Sequence, residues 1–163
     1  MKKVAIIFVL LLAVLLFGCT SSTNDMKQIN QLQEKYGLTN SFVPSDQIML
    51  SYSNEIIELD LKSTLADVEL YSAQSFYQLL LLTQQINGLD VSKENCKSVP
   101  VIKAYQTSIM CEITSQKAIE KINLLSSSEK EMLRYGQKEF VQDYLNTCQE
   151  IKNDLKSFCS TLN

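Results

Sequence analysis

The chain of 163 residues has no histidine and no tryptophan, one arginine, four glycines and two prolines. The lack of histidine excludes zinc sites with imidazole ligands and catalysis of the Ser-His-Asp or Cys-His kind. Four scattered glycines cannot supply a glycine-rich phosphate loop. The formal net charge is −3 with thinly spread basic residues, which disfavours a nucleic-acid interface. The composition therefore predicts no catalytic residues, no cofactor, no metal ligands and no nucleic-acid partner.

The first nineteen residues have the pattern of an export signal. Lys2 and Lys3 precede an unbroken apolar run, Val4 to Phe17, and the chain turns abruptly polar after Cys19. A bilayer-spanning helix needs roughly 20 apolar residues, which is more than this run provides. Its length instead fits the hydrophobic region of a signal peptide. An uncleaved N-terminal anchor helix and an ordinary signal peptide are the alternatives.

The segment Leu16-Phe17-Gly18-Cys19 resembles the lipobox of prokaryotic lipoproteins, in which an aliphatic residue, a small residue and Gly or Ala precede Cys. Phe17 departs from that pattern, and the resemblance covers residues 1–19 only. It implies that residues 1–18 are cleaved and that a diacylglyceryl group is attached to the Cys19 sulfur. It also implies anchoring by acyl chains such as palmitate, on the extracytoplasmic side of a cell membrane or an outer membrane.

The mature chain would be acidic. Removal of residues 1–18 takes away Lys2 and Lys3 and leaves 13 basic against 18 acidic side chains, a net charge of about −5. Such a chain is not drawn to an anionic bilayer, so the acyl chains would hold it at the membrane. The lipidated cysteine and its tether occupy residues 19–25, and the six residues from Thr20 span at most about 20 Å. A single helical domain is predicted over 26–163.

Helical spacing recurs throughout that domain, and strand signals are almost absent. Helices are predicted over about 25–36, from about 98 to 125, and from the triple-serine turn at 126–128 to the C-terminus. The segment 46–87 fits either one helix or two. Short loops favour antiparallel neighbours, so we predict an all-α bundle of four or five helices.

The sequence also predicts helix caps. Asp25 is a plausible N-cap for the first helix, because a carboxylate accepts hydrogen bonds from free backbone amides. Thr64 with Asp67, and Ser128 with Glu131, match the spacing of capping boxes.

The last two helices carry distinct faces. In the segment 98–125, a bulky face lies beside a face of small residues that would let a neighbouring helix approach closely. The bulky residues are Ile102, Tyr105, Ile109, Ile113 and Ile119, and the small ones are Ala104, Ser108, Cys111, Ser115 and Ala118. The last helix has residues spaced by three and four: Phe140, Tyr144, Cys148, Ile151, Leu155 and Phe158.

Four cysteines follow the export signal: Cys96, Cys111, Cys148 and Cys159. An even number in an exported chain predicts two disulfides. If the last two helices fold back about the triple-serine turn, Cys96 lies opposite Cys159, and Cys111 lies within about one helical turn of Cys148. The sequence therefore predicts a C-terminal antiparallel helical hairpin stapled by two nested bridges.

The other two pairings fit this hairpin poorly. Cys148 and Cys159 would be about 16 Å apart along one helix, whereas a disulfide needs Cα atoms within about 7 Å. The crossed pairing joins Cys96 to Cys148 and Cys111 to Cys159. Its two pairs are displaced along the hairpin by about a turn or more, in opposite directions. A zinc site of four thiolates and a redox-active disulfide are also disfavoured, because the chain has no close Cys pair and nothing marks a reactive thiol.

Other constellations have ordinary structural interpretations. The acidic stretch of Glu55, Glu58, Asp60, Asp67 and Glu69 is typical of a solvated helix face. The predicted function is that of a membrane-anchored lipoprotein with a structural or protein-binding role, which includes inhibitor, immunity or exclusion lipoproteins, and not of an enzyme. The alternative is a small-molecule binding module with a ligand site between helices. Such a site would be lined by Phe76, Leu79, Tyr105 and Tyr144.

Overall fold

The computed structural model describes residues 24–38, 45–92, 95–134 and 136–159. These residues form six helices packed together and no strand. The helices are α1 over residues 24–35, α2 (Asp46–Ile57), α3 (Thr64–Ile86), α4 (Val99–Leu124), α5 (Ser127–Lys130) and α6 (Gln137–Phe158). The predicted all-α bundle is confirmed, and the sixth helix is the single turn of α5. The predicted signal peptide (1–18) and most of the predicted tether (19–25) lie outside the described residues.

The segment 46–87 forms two helices, α2 and α3, joined by residues 58–63. The Asp25 carboxylate accepts hydrogen bonds from the backbone amides of Lys62 (2.7 Å) and Ser63 (2.6 Å) in that connection. Asp25 is buried. It lies inside α1 and does not form the predicted N-cap, because its side chain is turned towards the start of α3 instead.

The observed N-caps lie one or two residues before the predicted ones. Ser63, not Thr64, caps α3 by accepting a hydrogen bond from the Ala66 amide at 3.2 Å. A capping box is present at Ser126 and Glu129, and the predicted box at 128–131 is wrong. Runs of Ser and Thr followed by acidic residues fit the capping pattern in several frames, and the tertiary contacts of the turn select one.

α4 packs against both α3 and α6, and α3 also contacts α2 and α6. The small-residue face of α4 is buried at all five positions: Ala104, Ser108, Cys111, Ser115 and Ala118. The Ser75 hydroxyl of α3 and the Ser115 hydroxyl of α4 form a buried hydrogen bond across this contact. The face predicted to admit a close neighbour is therefore the buried face of α4.

Part of the predicted bulky faces lies in solvent. Ile102 and Ile113 are exposed on the outer side of α4. Phe140 and Phe158, at the two ends of α6, are 52% and 62% exposed. The spacing in α6 locates its inner face correctly, but Phe140 and Phe158 lie at the edge of that face. At 100° per residue, each is about 80° around the helix axis from the fully buried Cys148.

The core consists of three clusters. The first joins α1, α2 and α3 around Ile29, Tyr52 and Ile56. The second surrounds Leu82, Val101 and Leu155, where α4 begins and α6 ends. The third consists of Leu65, Val68, Ile122 and Leu125, with Met26 and Leu133 packed against it. The third cluster closes the end of the bundle at which α1 starts.

Gly136 turns the chain from α5 into α6. Its φ is 72°, in the left-handed region, and a Cβ built there would lie 3.1 Å from the Phe140 ring. Gly136→Ala is expected to lower the free energy of unfolding by about 1–2 kcal/mol, because an L-residue is disfavoured at this φ. Chemical denaturation measures the loss, and Gly136→Asn is the matched control. Asn tolerates the left-handed region, so it should cost less. Equal stability of Gly136→Ala and the parent would contradict this interpretation.

Candidate functional site

Both predicted disulfides form. Cys96 pairs with Cys159, with Cα atoms 5.3 Å apart, and Cys111 pairs with Cys148, with Cα atoms 5.9 Å apart. Cys96 precedes the first turn of α4 and Cys159 directly follows α6. This position outside the helices absorbs the unequal spacing of the cysteines along the two arms. The nested pairing of an antiparallel hairpin is confirmed.

The four cysteines of the two bridges are buried. Cys111 and Cys148 have no exposed surface, and Cys96 and Cys159 belong to the second cluster. A redox-active cysteine needs an accessible thiolate in an electropositive environment. Because these bridges are buried, they are interpreted as structural crosslinks between α4 and α6.

A second polar feature, which the sequence did not predict, lies inside the bundle at α3. We call it the Glu69 cluster: Tyr52, Glu69, Ser72, Arg134 and Gln137. The Glu69 carboxylate accepts hydrogen bonds from the Tyr52 hydroxyl at 3.1 Å and from the Gln137 side-chain amide at 2.8 Å. Arg134 forms an ion pair with it at 3.1 Å. The cluster thus ties α2, α3, α6 and the α5–α6 turn to one carboxylate.

The remaining contacts fix the orientation of this cluster. The side-chain oxygen of Gln137 (Oε1) accepts a hydrogen bond from the backbone N–H of Arg134 at 3.0 Å. The side-chain nitrogen of Gln137 (Nε2) donates a hydrogen bond to the Ser72 hydroxyl at 3.4 Å. The Arg134 guanidinium also lies over the Tyr52 ring, 5.9 Å from its centroid. The Glu69 carboxylate is therefore contacted by the Arg134 guanidinium, the Tyr52 hydroxyl and the Gln137 side-chain amide.

Burial and charge shift the pKa values of the cluster. Burial, and then the nearby Glu69 carboxylate, raise the pKa of Tyr52 far above its ordinary value. Burial alone would lower the pKa of Arg134, but the Glu69 charge and Tyr52 outweigh it and raise the pKa. Tyr52 is therefore a neutral hydrogen-bond donor and Arg134 a permanent cation.

Glu69 corrects the interpretation of the acidic stretch. Glu58 and Asp60 are exposed, and Glu55 and Asp67 form surface ion pairs with Lys35 and Lys121, both at 2.6 Å. Glu69 is buried, so it does not belong to a solvated face. Arg134, the single arginine of a chain otherwise rich in lysine, was the sequence signal for a buried pair. Arg134 is far from Glu69 along the chain, so the sequence did not identify Glu69 as its partner.

The four residues predicted to line a ligand site do not share one cluster. The Phe76 and Tyr144 rings contact each other, with centroids 6.0 Å apart, and Phe76 packs against the first cluster. Tyr105 packs against the second cluster, near Leu82. Leu79 is half-buried on α3. The structure therefore brings together Phe76 and Tyr144 and places Tyr105 in the neighbouring cluster.

The described ranges contain neither a metal-binding cluster nor a helix that could span a membrane. No group of three or more Cys, Asp or Glu residues there is arranged to hold a metal ion. Among the helices of residues 24–38, 45–92, 95–134 and 136–159, none combines the length and apolarity needed to cross a bilayer. Cys19, the predicted lipidation site, lies outside these ranges.

Comparison with known proteins gives no relative from which a function can be transferred. No protein-family model matches the chain, and neither the curated proteins nor the solved structures contain a match.

Proposed function

We propose that the chain is a membrane-anchored extracytoplasmic lipoprotein with a structural or protein-binding role. One observation carries the proposal: a chain with an export and lipobox pattern over residues 1–19 folds into a hairpin whose cysteines are all paired. Disulfides persist in oxidising compartments and are rare in the cytoplasm. The pairing of all four cysteines after Cys19 therefore supports residence outside the cytoplasm, independently of the N-terminal pattern.

The outer side of α4 supports a protein-binding role. Val99, Ile102, Met110 and Ile113 are exposed apolar residues. At 100° per residue they lie within about 80° of one another around the helix axis. A row of exposed apolar side chains is typical of surfaces that contact other macromolecules. An inhibitor, immunity or exclusion lipoprotein, which acts on a single partner, is the narrower form of this proposal.

Replacement of the lipidation site tests the anchor. Cys19→Ser removes the sulfur that would carry the diacylglyceryl group, so we expect the protein to leave the membrane fraction or to accumulate as uncleaved precursor. The measurement is membrane fractionation followed by intact mass. Thr20→Ser is the matched control, since it keeps the Cys19 thiol and should stay lipidated. A Cys19→Ser protein that keeps the parent's cleavage site and membrane attachment would contradict the proposal.

A further inference from the structure

The end of the bundle at which α4 stops carries two exposed apolar side chains. Leu124, the last residue of α4, is 72% exposed, and Met132, just after α5, is 53% exposed. Leu124 directly precedes Leu125, a buried member of the third cluster, and Met132 directly precedes Leu133, which packs against that cluster. The two exposed side chains therefore border the apolar surface that closes this end.

The N-terminal tether joins the bundle at this same end. Met26, in the first turn of α1, packs against the third cluster, and Asp25 binds the backbone at the start of α3. The chain from Cys19 to Asn24, where α1 begins, spans at most about 17 Å whatever its conformation. An anchor on Cys19 would therefore keep Leu124 and Met132 at the membrane side of the molecule.

The opposite end also has exposed apolar residues, but the tether does not start there. Val99 is 76% exposed at the beginning of α4, and the Cys96–Cys159 bridge marks that end. Along the axis of α4, Val99 is about 37 Å from Leu124, more than twice the reach of the tether. Both ends of α4 therefore carry exposed apolar residues, but only Leu124 and Met132 lie at the end where the tether begins.

We propose that Leu124 and Met132 form a membrane-contacting patch that inserts into the lipid surface to which the chain is anchored. The inference rests on the proposed lipid anchor at Cys19. An acidic mature chain gains little from anionic lipids, so contact made by apolar side chains is the interaction available at this end. The patch would fix the orientation of the bundle, with the second cluster and Val99 directed away from the bilayer.

Tryptophan fluorescence tests the patch, because the chain has no tryptophan of its own. Leu124→Trp and the matched control Val99→Trp place the probe at exposed positions at opposite ends of α4. Each lipidated mature variant, residues 19–163, is reconstituted into phosphatidylcholine vesicles with and without brominated acyl chains. We expect the emission of Leu124→Trp to shift to shorter wavelength and to lose intensity with the brominated lipid. The emission of Val99→Trp should remain that of an indole in water.

Intact mass separates the failure of this inference from the failure of the proposed function. A variant without the diacylglyceryl mass would refute the anchor itself. A lipidated Leu124→Trp protein with unquenched, water-like emission, or with quenching no greater than that of Val99→Trp, would overturn the patch alone. The unlipidated double variant, Leu124→Trp with Cys19→Ser, is measured without vesicles. If its emission shifts with protein concentration, the patch contacts a second copy of the chain, and the proposed membrane contact is overturned.

Discussion

Replacement of Arg134 by Met is expected to lower the free energy of unfolding by about 3–5 kcal/mol, because it leaves a buried carboxylate without its cation. Glu69 is buried, and its remaining donors, Tyr52 and Gln137, are neutral. Denaturant unfolding followed by circular dichroism measures the loss. The side chain of Met fills a volume similar to the stem of Arg, so the missing charge dominates the effect.

Lys121→Met is the matched control for Arg134→Met. Lys121 pairs with Asp67 at 2.6 Å, but the Asp67 side chain is 31% exposed, whereas that of Glu69 is 4% exposed. Removal of that cation should cost less than about 1 kcal/mol, since water solvates the carboxylate left behind. If the two variants lose equal stability, the Glu69 cluster is not the buried crosslink described here. A double Glu69→Gln/Arg134→Met variant should recover much of the loss, because it removes both charges and keeps a side-chain oxygen that accepts from Tyr52 and Gln137.

Removal of the inner bridge by Cys111→Ala with Cys148→Ala is expected to cost about 2–4 kcal/mol. The bridge constrains the unfolded chain, and both residues are fully buried between α4 and α6. The double replacement avoids a free thiol that could pair wrongly with Cys96 or Cys159. Denaturant midpoints of the parent and the variant, both under non-reducing conditions, provide the measurement.

Met110→Ser is the control for the inner bridge. Met110 is the neighbour of Cys111 on the exposed side of α4, so its replacement should change stability by less than about 0.5 kcal/mol. A Cys111→Ala/Cys148→Ala variant that unfolds at the same denaturant concentration as Met110→Ser would show that the inner bridge does not stabilise the hairpin.

The helical architecture and the disulfide pairing were predictable because both depend on local spacing. Apolar residues repeat at the helical period, and a short serine turn at 126–128 sets the register of the two arms. Reflection about that turn placed Cys96 opposite Cys159 within the accuracy that a disulfide requires. The buried small-residue face of α4 followed from the same periodicity, since Cys111 lies in its middle.

The features that were missed depend on contacts distant in sequence. Glu69 and Arg134 are brought together only when α3 packs beside the α5–α6 turn, so helical spacing gave no sign of their pairing. Asp25 does not cap its own helix, because the α2–α3 connection presents two backbone amides to its carboxylate. Phe140 and Phe158 fit the spacing of a buried face, yet both lie about 80° around the α6 axis from the buried Cys148, at an edge of the face that the neighbouring helices leave exposed.

Intact mass of the protein extracted from its own membranes, before and after reduction, tests the account most directly. We expect the mass of residues 19–163 plus diacylglyceryl, and a gain of four hydrogens on reduction of the two bridges. A full-length, unmodified chain whose mass does not change on reduction would contradict both the lipid anchor and the stapled hairpin.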